Sequence, residues 1–328
     1  MNRTQIITTT LITLLLATVG TGMANFTSLQ AQEPVLDAFN MSISPPIAYL
    51  QSKPGQTLTH SITLENNSVT TQTFKPKLVD FVPNSTDGSP YLQPTTTFPY
   101  LSPPTTNLFN QTIILKAGEQ RTLPITFIIP PDAANKEFHL TLLFTSQSNP
   151  EFNIGGAGGE VLGSIGSNIV LLVSDGVSGG QLRFSQIRAP QYVDSLGQVT
   201  FEVIAENKGI AARMASGSAR LVDWHGQTVK EFTFYPDMVL SESIRKLRAQ
   251  EKDPTSDTGI TPSELMYDPV FLLGPYTLQV TLEGASIETQ EVTILALPFS
   301  IALTIGLGLL LVLAWHYLKP KLLLGKDF

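Results

Sequence analysis

From residue 40 to residue 293 the chain alternates hydrophobic and polar positions with a period of two. Leu58, His60, Ile62 and Leu64 interleave with Thr57, Thr59, Ser61 and Thr63, the mark of a strand with one packed and one wet face. Asn66-Asn67-Ser68 supplies the turn that ends it. The same device returns where Val199, Phe201, Val203 and Ala205 alternate and give way to Glu206-Asn207-Lys208-Gly209. Short strands punctuated by Gly, Pro and Asn turns, with no helical periodicity before the C-terminal stretch, predict an all-β exported region. The alternation then stops. Between Glu291 and Lys319 no residue carries a formal charge, and residues 296–318 read as a single C-terminal transmembrane helix. About 20 apolar residues at about 1.5 Å each cross a hydrocarbon core of roughly 30 Å.

The β region reads as two copies of one unit. Gly55-Gln56 precedes the first patterned strand and Gly197-Gln198 the second, and each copy continues to Leu78-Val79-Asp80-Phe81 or Leu221-Val222-Asp223-Trp224. Phe138, Leu140, Leu142 and Phe144 then correspond to Tyr276, Leu278, Val280 and Leu282 as the buried face of a late strand. The expectation is two consecutive Ig-like β-sandwich domains, over residues 37–174 and 180–293, joined by a short polar and Gly-rich linker. At the N-terminus, Arg3, an apolar stretch over residues 6–19 and Gly22-Met23-Ala24 predict a signal peptide over residues 1–24, cleaved after Ala24 or, failing that, after Ala31. Trp315 and Tyr317 suit the headgroup layer, and Lys319, Lys321 and Lys326 mark residues 319–328 as a basic cytoplasmic tail. The bulk of the chain is therefore expected outside the cell membrane.

Composition narrows the function classes. The 328 residues include no cysteine, which rules out disulfides, a lipidated N-terminal Cys and thiolate metal sites, and favours a prokaryotic surface protein. A formal net charge of -7 with no basic stripe argues against nucleic acid. Asn-x-Ser/Thr sequons at Asn25, Asn40, Asn66, Asn84 and Asn110 are read as products of composition. The four histidines are dispersed without metal-ligand spacing. Asp80 and Asp223, as equivalent positions of two copies, belong to different domains and cannot form an acid–base pair. The Gly-rich run at residues 155–159 lacks the Lys-Ser/Thr of a phosphate loop. No catalytic residue, metal site or cofactor is expected. The best ligand-binding candidates are Tyr91, Phe98 and Tyr100 in the long connection over residues 83–107, where rings on a loop can stack on sugars or insert between chains. Rings so placed can equally fold back over an open end of the sandwich.

Several stretches resemble the WxL-interacting proteins, a bacterial surface family of two Ig-like domains and a C-terminal membrane helix. Ser42-Ile43-Ser44-Pro45-Pro46, Pro54-Gly55 and Leu64-Glu65-Asn66 are similar to the opening of its first domain, and Glu206-Asn207-Lys208-Gly209, Val239-Leu240 with Ser243 and Arg245, and Leu273-Gly274-Pro275-Tyr276-Thr277 to its second. The resemblance implies peptidoglycan binding by the first domain. Ala211-Ala212-Arg213-Met214-Ala215 and Ser241 depart from the family pattern in the second. The function expected is a non-enzymatic, membrane-anchored surface protein for adhesion or scaffolding that contacts envelope polymer, such as peptidoglycan, or another surface protein. The alternative is a chaperone-like assembly factor that captures a client strand at an open sandwich edge, since the Ser-Pro-Pro opening is also similar to that of periplasmic pilus chaperones.

Overall fold

The computed structural model of the chain describes residues 40–83, 86–147, 163–176, 181–283 and 287–323. The expected signal peptide, residues 177–180 of the linker, the Gly-rich run at 155–159 and the last five residues of the tail lie outside them. The first sandwich comprises β1 (Met41–Ser44), β2 (Ile47–Ser52), β3 (Thr57–Asn66), β4 (Gln72–Pro83), β5 (Pro90–Leu92), β6 (Ile113–Leu115), β7 (Gln120–Ile128), β8 (Lys136–Ser146) and β9 (Ser164–Val173). The second comprises β10 (Leu182–Arg188), β11 (Tyr192–Asp194), β12 (Val199–Thr200), β13 (Glu202–Asn207), β14 (Arg213–Met214), β15 (Ser216–Asp223), β16 (Thr228–Thr233), β17 (Met238–Val239), β18 (Ser243–Leu247), β19 (Ala249–Lys252), β20 (Ile260–Ser263), β21 (Met266–Tyr267), β22 (Gly274–Glu283) and β23 (Ile287–Leu297). A helix, Phe299–Leu323, follows.

Each sandwich stacks a three-stranded sheet on a larger one. In the first, β1-β3-β7 faces β2-β9-β8-β4, with β5 and β6 pairing opposite ends of β4. In the second, β10-β13-β18 faces β11-β23-β22-β15-β16. The period-two positions meet between the layers: Ile62, Leu64, Ile125, Phe127, Leu142, Phe144 and Ile169 in one core, Phe201, Val203, Leu221, Leu278, Val280 and Ile294 in the other. Burial of each such side chain contributes about 1.5–3 kcal/mol. The chain is therefore all-β with two consecutive Ig-like sandwiches and a C-terminal apolar helix.

The duplication extends to the edges. Pro45 and Pro46 have no N–H to give a ladder, and between them the first strand leaves β3 and re-emerges as β2, parallel to β9. In the second copy β10 pairs β13, and β11 runs parallel to β23.

Two departures from the sequence reading have local causes. Ser102-Pro103-Pro104 starts a short helix, Pro103–Leu108: the Ser102 hydroxyl accepts from the Thr105 N–H, and proline suits the first turn because its missing N–H would have no partner there. Ala296, expected in the membrane span, is fully buried and pairs with Gly274 at the end of β23. The helix starts only after Pro298.

Asn66 and Asn207, read as turn residues, are fully buried. The Asn66 amide donates to the carbonyls of Thr70, Leu115 and Lys116, and its oxygen accepts from Ser68 N–H. The Asn207 amide donates to Ala211 and Val239 carbonyls, and its oxygen accepts from Gln181 and Gly209 N–H. Each side chain replaces the partner strand that these turning backbones lack. Asn207→Ala strands several buried groups at about 1–3 kcal/mol each. It is expected to lower the unfolding midpoint of the second sandwich, followed by Trp224 fluorescence in denaturant, whereas Lys208→Ala, on the exposed side of the turn, leaves it in place.

Candidate binding surfaces

The three loop aromatics do not form one platform. Phe98 is only 5% exposed and joins the first core, edge-to-face with Phe127, Phe138 and Tyr100 at centroid distances of 5.6, 4.9 and 5.4 Å. Tyr100 is half-buried against Phe138, and its carbonyl accepts from Ile128 N–H. Tyr91 alone is exposed, on β5. Asp80 causes the inward fold, because its carboxylate accepts from Thr96 hydroxyl and from Thr97 N–H and hydroxyl, tying the loop down on β4. Phe98 thus follows the folded-back alternative, whereas Tyr100 keeps part of its surface exposed. Beside this loop lies a cleft of about 870 Å³ with Leu78, Leu101 and Phe109 in its wall and Lys75 and Lys77 in the middle of β4, which pairs β8 on one side and lies between the β6 and β5 pairings on the other. Lys77 Nζ donates to the Pro94 carbonyl at 2.5 Å.

Open backbone is found at the last strand of each sandwich. β8 pairs β9 along residues 164–173, whereas β2 covers only 168–173. Ser146 N–H donates to Gly163 O on the β8 side, and Asn168 N–H donates to Pro46 O on the other. Backbone groups alternate sides along a strand, so those of Ser164 and Gly166 point away from β8, where no strand pairs them among the described residues. In the second sandwich β11 covers only residues 295–297 of β23, and among the described residues no strand pairs 287–294 on that side. The two edges differ chemically. The β23 edge carries Glu288 and Glu291, the kind of charge that keeps edges from pairing, whereas residues 164–167 read Ser-Ile-Gly-Ser with no charge and no proline.

The sandwiches meet at a buried carboxylate. Glu137 of β8, its side chain 2% exposed, accepts from Ser241 N–H at 2.9 Å and from Ala212 N–H, both in the second sandwich, and its Oε1 lies 2.7 Å from His139 Nε2. Burial pushes this carboxyl up, but the hydrogen bonds from His139, Ser241 and Ala212 outweigh it and hold the group below its ordinary value of 4.5. Phe81, Val170 and Leu240 pack together beside it with Ala212, and Lys246 N–H donates to Thr86 O at 2.6 Å. Behind the junction Asp237 is clamped by Arg245 and Arg248, at 3.1 and 2.6 Å from Oδ1. Neither acid was legible as a site, because Glu137 sits in an ordinary alternating strand and its partners are backbone groups of a distant segment. Among the described residues no group of three or more His, Cys, Asp or Glu could hold a metal ion.

No family model and no curated protein matches the chain. Among solved structures, CfaA, a class 5 fimbriae chaperone, aligns over 79% of this chain and 100% of its own, at 14% identity and a TM-score of 0.38. The CsuC–CsuE chaperone–tip adhesion subunit complex of Acinetobacter baumannii aligns over 79% and 99%, at 14% identity and 0.35. The Salmonella enterica SafA pilin in complex with the SafB chaperone aligns over 78% and 96%, at 14% identity and 0.34. With TM-scores below 0.5 these likenesses say nothing about what the chain binds. The suspected membership of the WxL-interacting family is corrected, since no family model matches the chain. The motifs that suggested it, Pro-Gly and Asn-x-Gly turns between alternating strands, answer to the needs of any sandwich.

Phe98→Ala should cost the first sandwich about 3–5 kcal/mol, and Tyr91→Ala less than about 0.5 kcal/mol, as read from thermal unfolding. For the junction, a carboxyl whose value is lowered on docking adds stability that is complete above the ordinary value and lost as pH falls through the lowered one. Interdomain energy transfer in the full chain is accordingly expected to hold at neutral pH and to drop in acid. Glu137→Gln, which loses charge-assisted bonds of about 1.5–3 kcal/mol each, should show the open value already at neutral pH.

Proposed function

We propose that the chain is a membrane-tethered, chaperone-like assembly factor whose first sandwich pairs an extended segment of a client surface protein along the outer edge of β9. The observation that carries this reading is the uncharged outer side of β9 at Ser164 and Gly166, whose backbone groups point away from β8 and which no strand pairs among the described residues. An extended client gains main-chain hydrogen bonds there, as in strand addition generally, and Ile165, packed against the core, marks where an apolar client side chain continues the inner face. Strand addition needs no nucleophile, base or metal, and binding without catalysis suits the scattered titratable groups. Peptidoglycan contact was implied only by the corrected resemblance and falls with it.

The tether is the C-terminal helix. Its segment Phe299–Tyr317 spans 19 residues with a mean hydropathy of 2.0, and none of it is buried within the chain. About 28 Å of helix at 1.5 Å per residue matches a bilayer core. The lysines at 319, 321 and 326 support a cytoplasmic C-terminus with the sandwiches outside.

A photoreactive side chain at Thr145, whose hydroxyl lies 3.2 Å from that of Ser164, tests the edge in the full-length protein in its membrane. Adducts with exported proteins are expected. Ser164→Pro removes one outward N–H at the first residue of a strand, where proline is tolerated, and should reduce those adducts at least five-fold in a chain that still folds. Undiminished adducts, or adducts with glycan alone, would reject the reading.

A further inference from the structure

We infer that the end of the second sandwich from which the helix emerges is itself a membrane-contacting surface: a set of loop-borne apolar side chains seated in the headgroup layer of the bilayer that the helix crosses. The inference rests on the tether reading above.

Four segments converge at that end. One residue, Pro298, separates Leu297 of β23 from Phe299 of the helix. Asp194, the last residue of β11, accepts from Ser300 N–H at 2.6 Å and from Ser300 hydroxyl at 2.8 Å, so the first turn of the helix is fastened to the sandwich. The next residue, Ser195, donates its N–H to Leu297 O and accepts from Leu272 N–H, which brings the loop before β22 alongside. Gly274, at the start of β22, pairs with Ala296 and has the Trp224 indole against it, so the β15–β16 turn completes the set.

The side chains these segments expose are large and apolar. Leu196 is 53% exposed, Trp224 66%, Val270 94%, Phe271 48% and Leu273 53%, and Phe299 beside them is 51% exposed. Apolar groups at five loop positions are unfavourable in water, and clustered exposure of this kind marks a contact surface. Its occupant is fixed by continuity. Because the helix enters the bilayer within its first turn, and that turn is bonded to Asp194, these loops lie beside the point of entry. Trp and Phe are suited to the headgroup layer. The acids at this end, Asp194, Asp223 and Asp268, give no attraction to anionic lipid, and two are engaged: Asp194 with the helix, Asp223 with the N–H groups of His225 and Gln227. The contact is therefore apolar and insensitive to lipid charge.

The chain has two tryptophans, Trp224 and Trp315, which makes the inference measurable in the full-length protein reconstituted into phosphatidylcholine vesicles. With Trp315→Phe, Trp224 should emit at shorter wavelength than in the unfolded chain. It should be quenched at least two-fold by lipids brominated high on the acyl chain, equally with and without phosphatidylglycerol, and Phe271→Ser with Leu273→Ser should relieve that quenching. With Trp224→Phe, Trp315 reports the helix alone. If Trp315 is quenched by brominated lipid while Trp224 is quenched only by aqueous acrylamide, the surface is refuted and the tether stands. If neither tryptophan senses the lipid, the tether fails and the surface with it.

Discussion

A sandwich must satisfy the backbone N–H and C=O groups along its outer strands, and in this chain one device meets that demand twice. The first strand of each copy pairs in the smaller sheet, crosses, and finishes parallel to the last strand of the larger one. How far the crossed segment reaches decides what remains open. β2 begins only opposite Asn168 and β11 only opposite Leu295, so among the described residues each last strand keeps a stretch that no strand pairs on its outer side. An unpaired edge is a template for another chain unless something spoils it. Glutamates spoil the second, and nothing charged spoils the first. The difference between the edges of two otherwise similar copies thus comes down to a few side chains beside the same backbone arrangement.

The open edge is also mechanically connected. Val170, on the strand that carries the edge, packs with Phe81 and Leu240 at the junction, next to the carboxylate of Glu137 that receives two N–H groups from the second sandwich. A buried carboxylate is stable only while its hydrogen bonds are made, so the junction behaves as a fixed joint when it is ionised. At the far end Asp194 fastens the second sandwich to the helix. Edge, junction and helix form a continuous bonded path. Under the proposed function, this path would hold a client at β9 in a set orientation above the membrane, which a chain with slack at either joint could not do.

Much of this was legible from residues. Period-two alternation marked the strands around Ile62 and Val203, the shared order of Gly-Gln, Glu-Asn and Leu-Val-Asp motifs marked two copies, and the uncharged stretch after Glu291 marked the helix. These are local signals, since burial of one strand face imposes alternation whatever the partner strand is. The Ser-Pro-Pro at residues 102–104 was an equally local signal for a helix start, passed over in a region read as all-β.

What the sequence by itself determined, then, is the kind of elements, their duplication and the apolar span. Tertiary structure alone decided that Phe98 joins the core while Tyr91 does not, because a loop ring's fate depends on where Asp80 pins the loop. It alone decided that Ala296 ends a strand instead of starting a helix, because Gly274 across the sheet supplies its partner. It alone showed that Glu137, Asp194 and the Trp224 turn matter, since their partners lie 75 to 106 residues away or in separate loops. Hydrogen bonds between distant backbone groups and side chains leave no periodicity in a sequence; they exist only once the sheets have been stacked.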